Sequence, residues 1–144
     1  MILRLFALCT LAMVLAVLPV ADAEENIKMP EVITAGLSVY KEKGVEAAVL
    51  EWLKGSPAEG QKNALAESNV LLQVEAFYGS YQSYELINIK EITASSRVVY
   101  VQLNYENGPV FAYFVIFKKG GDWIITTFQF HTDPTAILPR EYVS

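Results

Sequence analysis

The chain has very few of the residues that most often carry catalysis or bind metals. Cys9 and His131 are the only cysteine and the only histidine among its 144 residues. A zinc site takes at least three protein ligands, most often Cys and His, so these two residues are too few to form one. The nucleophile motif G-x-S-x-G does not occur either. We expect no bound metal and no cofactor.

Positive charge is also scarce. The chain has 11 Lys and Arg residues against 16 Asp and Glu residues, and its net charge is −5. Nucleic-acid-binding surfaces depend on clustered Lys and Arg side chains that contact phosphates. The only adjacent basic pair is Lys118-Lys119, and the Gly120-Gly121 that follows predicts a hairpin turn instead of a phosphate-binding loop. Nucleic-acid and nucleotide partners are therefore not expected.

Residues 1–23 have the organisation of a secretory signal peptide: Arg4, then the apolar run Leu5–Val20, then small residues up to Ala23. The alternative is a permanent membrane anchor, but the apolar run is short for a span that needs about 20 residues. We expect cleavage after Ala23 and no stable membrane insertion afterwards. Residues 24–144 would then form a single domain without any thiol, exported to a bacterial periplasm or to the outside of the cell.

Apolar residues of the first half recur at intervals of three and four, which predicts amphipathic helices. Pro30 suits the first turn of the first helix, Gly44 suits its cap, and Gly55 with Ser56 and Pro57 ends the second. After Gly79 the period changes to two, and residues typical of strands predominate. The predicted helices cover residues 30–44, 45–54 and 58–78, and the predicted strands cover residues 84–93, 97–105, 110–118 and 123–130.

The connectors between the predicted strands are short and rich in turn-forming residues, so the strands should pair in chain order as an antiparallel meander. The fold class predicted from the sequence is α+β, with three N-terminal helices covering one face of a four-stranded antiparallel sheet.

The last two predicted strands are apolar on both faces. In the third, Phe111, Tyr113, Val115 and Phe117 alternate with Ala112, Phe114 and Ile116; in the fourth, strict alternation sets Trp123 and Ile125 opposite Ile124, Phe128 and Phe130. Since helices cover only one face, the other needs a cover of its own. We expect a homodimer through that sheet face, with the C-terminal tail as the alternative cover.

The helical first half, the four strands and the closing sequence from Gly121 to Phe128 (GDWIITTF) resemble the small exported NTF2-like, cystatin-like proteins of bacteria. The resemblance covers about residues 30–131. It implies a curved sheet wrapped against the helices as a cone, a cavity between them, and frequent dimers through the sheet. Members of this group include enzymes, ligand carriers and structural modules, so the resemblance does not choose among functions.

Three residues are candidates for acid–base catalysis. Asp133 follows His131 by two residues and could orient the imidazole ring, although an Asp-Pro turn at the end of a strand explains the same sequence. Glu67 lies eight residues before Glu75 on one predicted helix, so the two carboxylates either share a cleft or face solvent.

The ligand-binding candidates are Tyr100, Gln102, Tyr113 and His131. On the cavity face of the sheet these polar groups would orient a ligand, whereas on a solvated face they would be ordinary, and alternation alone does not choose. We expect an exported, non-catalytic binding or interaction module that holds a small apolar ligand or docks an envelope partner. The alternative is a small enzyme of isomerase, dehydratase or hydrolase type.

Overall fold

Three helices precede four strands, as the sequence predicts. The computed structural model describes residues 27–144; the predicted leader, its cleavage site and Cys9 lie outside them. Two short 3-10 helices follow the last strand, at Pro134–Ala136 and Arg140–Tyr142. The main elements are α1 (Glu31–Lys43), α2 (Val45–Trp52), α3 (Ala66–Tyr78), β1 (Tyr81–Thr93), β2 (Ser96–Tyr105), β3 (Gly108–Lys119) and β4 (Asp122–His131).

The third helix begins eight residues later than predicted, at Ala66. The preceding segment forms turns, in which the backbone N–H of Gly55 donates to Glu59 at 2.8 Å and that of Ala58 donates to Ser56 Oγ at 3.2 Å. Gly60 has a φ of 75°, which a helix does not accommodate. These local hydrogen bonds compete with the helical ladder, so the predicted start at residue 58 is wrong.

The sheet is an antiparallel meander in the order β1-β2-β3-β4, which confirms the predicted topology. We call the side that faces the helices the inner face and the other side the outer face. The inner face of β2 and β3 is apolar apart from Arg97, Lys118 and the Tyr105 hydroxyl. Its buried residues are Val99, Val101, Leu103, Tyr105, Val110, Ala112, Phe114 and Ile116.

A β-bulge at Thr126 changes the alternation along β4. Val115 pairs with Thr127, whereas the next residue of β3, Ile116, pairs with Ile125. Thr126 is left over, and its hydroxyl donates to the carbonyl of Val115 at 3.3 Å. Ile125 therefore lies on the inner face together with Phe128 and Phe130, and the predicted opposition of these residues is wrong because a bulge inserts one residue into the alternation.

The space between the helices and the inner face is filled by aromatic rings. Trp52, fully buried on α2, has its ring centroid 5.2–5.7 Å from those of Phe114, Phe128 and Phe130. Its Nε1 donates to the carbonyl of Ile33 at 3.0 Å, which satisfies the only polar group of the ring. This packing fixes α1 and α2 against β3 and β4.

The outer face is partly covered by the C-terminal tail. Ile137 is only 7% exposed yet lies outside the inner cluster of buried residues. The pKa of Tyr100, an outer-face residue, is raised by burial and by the nearby Glu141 and Tyr142 of the tail. The tail thus supplies part of the cover that the apolar outer face requires, and the dimer stays a prediction.

Candidate functional site

A groove of about 340 Å³ runs between α3 and the end of β4. We call it the α3–β4 groove. Its walls are mainly apolar, and three polar residues also line it. The apolar residues are Val70, Val74, Phe77, Tyr78 and Phe130, and the polar residues are Gln73, His131 and Thr132.

Phe77 is the most exposed large apolar side chain of residues 27–144, at 85%. It lies in the last two turns of α3, on the edge of the groove, and its ring packs edge-on against Tyr78 with centroids 5.8 Å apart. A single exposed apolar residue is unremarkable, but one that continues the apolar wall of a concave surface is typical of a binding site. Phe77 is one of the apolar residues at helical spacing in the predicted helix over 58–78, where a core residue would also lie, so the sequence alone does not identify it as a site residue.

His131 is exposed and offers one free ring nitrogen to the groove. Its Nδ1 accepts a hydrogen bond from the backbone N–H of Asp133 at 2.9 Å. In the neutral imidazole the proton is then on Nε2, which makes Nε2 a hydrogen-bond donor. The ring is thereby oriented by the backbone of the following turn.

The carboxylate of Asp133 is occupied elsewhere. Its Oδ1 accepts from the backbone N–H of Thr135 at 2.9 Å and from the Thr135 hydroxyl at 2.8 Å. These two hydrogen bonds lower the pKa of Asp133 below its usual value. Asp133 caps the 3-10 helix that begins at Pro134. The segment is thus an Asp-Pro turn at the end of β4, which was the alternative to an acid–base pair of His131 and Asp133. The carboxylate therefore does not serve as the hydrogen-bond partner of the imidazole.

Glu67 and Glu75 do not form a pair. They lie in the first and last turns of α3, and eight residues of helix separate them by about 12 Å along the axis. Burial raises the pKa of Glu67. Glu75 instead lies near the buried hydroxyls of Tyr40 and Tyr105. Burial is the main cause that raises the pKa of both tyrosines, and the charge of Glu75 raises them further.

Those two hydroxyls belong to a buried tyrosine cluster that sequence analysis did not find. The hydroxyls of Tyr40 and Tyr105 are 2.9 Å apart and hydrogen-bonded. The Tyr40 ring stacks on Tyr81 with centroids 4.7 Å apart. All three side chains are at most 9% exposed, so the cluster stabilises the core where α1 meets β1 and β2.

The other ligand-binding candidates lie on the outer face. Tyr100 and Tyr113 are direct neighbours across β2 and β3. The Gln102 amide donates to Asn104 Oδ1 at 2.7 Å and to Glu85 Oε2 at 3.2 Å, in a polar network along the strands. The structure thus separates Tyr100, Gln102 and Tyr113 from the inner face, and only His131 lines the α3–β4 groove.

Within residues 27–144 no three His, Asp or Glu side chains are grouped so that they could hold a metal ion. Over the same residues no helix is long and apolar enough to span a membrane.

Comparison with known proteins gives one structural likeness. A scan of protein-family models finds no match, and neither does a search of curated proteins. The chain is similar to a solved NTF2-like protein of unknown function from Shewanella baltica OS155, with 14% sequence identity and a TM-score of 0.45. The match covers 72% of this chain and 92% of that chain. The function therefore has to be argued from the residues.

Proposed function

We propose that this chain is a non-catalytic binding module that holds a small, mainly apolar molecule in the α3–β4 groove. The observation that carries the proposal is the exposure of Phe77, 85%, on the edge of an apolar groove of about 340 Å³. That volume is at the lower end of the range for small-molecule sites, about 300–1,000 Å³. A peptide segment of an envelope partner is the other candidate occupant.

The chemistry of the groove favours a ligand with one hydrogen-bond acceptor. Val70, Phe77 and Phe130 offer apolar surface to the body of such a molecule. The Nε2–H of His131 would donate to a carbonyl or ether oxygen, because Nδ1 is already bonded to the backbone. Mainly apolar walls with a few placed polar groups are typical of small-molecule binding sites.

The arrangement of the titratable groups also favours binding over catalysis. Acid–base catalysis needs a titratable group within hydrogen-bond reach of the reacting atom, usually with further polar groups that converge on the same point. Asp133 is held by Thr135, and Glu67 lies at the far end of α3 from the tyrosine cluster. The interior that would form a reaction chamber is occupied by Trp52 and the three phenylalanines around it.

The proposal is tested with prodan, a neutral fluorescent naphthalene ketone, whose emission shifts to the blue in apolar surroundings. We expect saturable 1:1 binding to the wild-type protein. Phe77→Ala should weaken it about tenfold, since a lost aromatic contact costs about 1–2 kcal/mol. His131→Ala should weaken it by a smaller factor, through loss of the donor to the ketone.

Leu72→Ala is the matched control, because Leu72 is 43% exposed on the same helix but does not line the groove. Both positions are exposed, so neither substitution should change the free energy of unfolding by more than about 0.5 kcal/mol. The absence of saturable binding, or equal effects of Phe77→Ala and Leu72→Ala, would overturn the proposal. Displacement of prodan by envelope-protein peptides but not by small ketones would identify the occupant as a peptide.

We further propose that the protein acts after export, with its mature chain beginning at Glu24. Support comes from the tripartite sequence of residues 1–23. Intact-mass measurement on the exported protein tests this, and a mass that includes residues 1–23 would contradict it.

Light scattering on the same sample tests the predicted homodimer. A monomer mass at micromolar concentration would contradict the dimer and leave the tail as the cover of the outer face.

A further inference from the structure

A second cavity lies at the opposite end of β4 from the α3–β4 groove, beside the start of α1. Its volume is about 500 Å³, and Trp123 at the start of β4 forms one wall. Arg97 from β2 and Ile116 from β3 also line it. We call this cavity the Arg97 cleft. It shares no lining residue with the groove, so the inference below does not depend on the proposed function.

Arg97 is held in place at the edge of this cleft. Its guanidinium lies over the Trp123 ring, 4.6 Å from the centroid, and its Nη2 is 3.5 Å from Glu91 Oε2. Its side chain remains 36% exposed. Stacking on the indole restricts the side chain while it leaves guanidinium N–H groups available, which reduces the entropy lost when a carboxylate binds.

The charges around the cleft are of both signs. Lys28 and Arg97 are positive, and Glu31 and Asp122 are negative. The surface between them is apolar, formed by Val32, Ile89, Ile116 and the Trp123 ring. A ligand with charge of one sign would meet repulsion from two of these groups. A neutral apolar ligand would remove water from all four and add no partner to the one pair already formed, Arg97 with Glu91.

We propose that the Arg97 cleft binds a short apolar peptide in its zwitterionic form. The peptide carboxylate pairs with Arg97 and Lys28, and the peptide ammonium pairs with Glu31 and Asp122. Apolar side chains of the peptide pack on Ile89 and Trp123. The cleft volume lies within the range of small-molecule sites and has room for a dipeptide.

The test uses the dipeptide Leu-Leu and two blocked forms, N-acetyl-Leu-Leu and Leu-Leu amide, titrated into the exported protein by calorimetry. We expect saturable binding of the free dipeptide and a loss of affinity of about tenfold or more on blocking either end, because each block leaves a charged partner unpaired. Binding should also weaken with added salt, since the cleft is open to solvent.

Tryptophan fluorescence gives a local readout. The protein has two tryptophans, and Trp52 is fully buried, so a change in emission on adding dipeptide reports on Trp123. Trp123→Phe should abolish the change in emission. This assignment fails if the variant keeps the response.

Arg97→Gln and Asp122→Asn should each weaken binding about tenfold. Arg140→Gln is the matched control, because Arg140 is exposed on the tail and does not line the cleft. Lys28→Gln is a second test that leaves the Arg97–Glu91 pair intact. The proposal would be overturned if no saturable binding occurred or if free and blocked dipeptides bound with equal affinity. It would also be overturned if only amidation weakened binding, because that result would indicate a simple anion site.

Discussion

Replacing Gly36 by alanine should destabilise the protein, even though alanine favours helices. Gly36 lies on α1 and is buried against the Trp52 ring. A Cβ atom built there would lie 2.0 Å from Trp52 Nε1 and 2.3 Å from its Cδ1. Both are far inside van der Waals contact, so the indole must move, and its hydrogen bond to Ile33 is then lost.

The size of the effect follows from three contributions. Forcing a methyl group into a packed core costs about 1–3 kcal/mol. Loss of the Trp52–Ile33 hydrogen bond adds about 1 kcal/mol. The higher helix propensity of alanine returns about 1 kcal/mol. We therefore expect Gly36→Ala to lower the free energy of unfolding by about 2 kcal/mol.

Urea unfolding followed by circular dichroism measures this change, with Ser38→Ala, an exposed position on the same helix, as the control. The atoms that clash belong to the five-membered ring of Trp52, which a phenylalanine lacks. Gly36→Ala should therefore cost less in a Trp52→Phe background, with a coupling energy of about 1 kcal/mol or more. Wild-type stability of Gly36→Ala, or additive effects in the double variant, would refute the packing argument.

Three further outcomes follow from the structure. Tyr105→Phe should cost about 1–2 kcal/mol in urea unfolding, because it removes the partner of the buried Tyr40 hydroxyl; an unchanged unfolding midpoint would contradict that hydrogen bond. Thr135→Val should raise the pKa of Asp133 towards its usual value in an NMR titration, because the variant lacks one of the two donors that lower this pKa. The pKa of Asp133 is depressed in the folded chain. The stabilisation that Asp133 contributes is therefore present above about pH 4 and is lost as the pH falls through the depressed pKa. Burial raises the pKa of Tyr81 to about 12. The contribution of Tyr81 to stability is therefore full below its pKa in the unfolded chain, near 10, and is lost as the pH rises towards 12. A tyrosinate absorbance step for Tyr81 near pH 10 in the folded chain would contradict this.

The helices and strands could be predicted from the local sequence because apolar residues recur with a clear period in each of them. The alternation of β3 predicted its two faces correctly, and Ala112, Phe114 and Ile116 are fully buried. The same rule was wrong in β4, since a bulge such as that at Thr126 depends on the pairing with β3 and leaves no mark in the sequence of one strand.

The candidate site was less predictable because it joins segments distant in sequence. His131 was identified because it is the only histidine, whereas Phe77, 54 residues earlier, resembled a core position until α3 was placed beside β4. Alternation sets Tyr100 and Gln102 on one face of β2, and the pairing of β2 with β3 places Tyr113 beside Tyr100. Which side the helices cover is decided by long-range packing of Trp52, which strand alternation does not report.

The irregular pairing of the two outermost strands has a consequence for solubility. Both β1 and β4 present unpaired N–H and C=O groups along their outer edges, where another chain could add a strand. The β1 ladder is interrupted at three places, next to Ser83, Asn88 and Thr93, and β4 is interrupted at Thr126. An incoming strand would meet hydrogen-bonding groups whose spacing does not match its own, so these irregularities oppose growth of the sheet into fibrils.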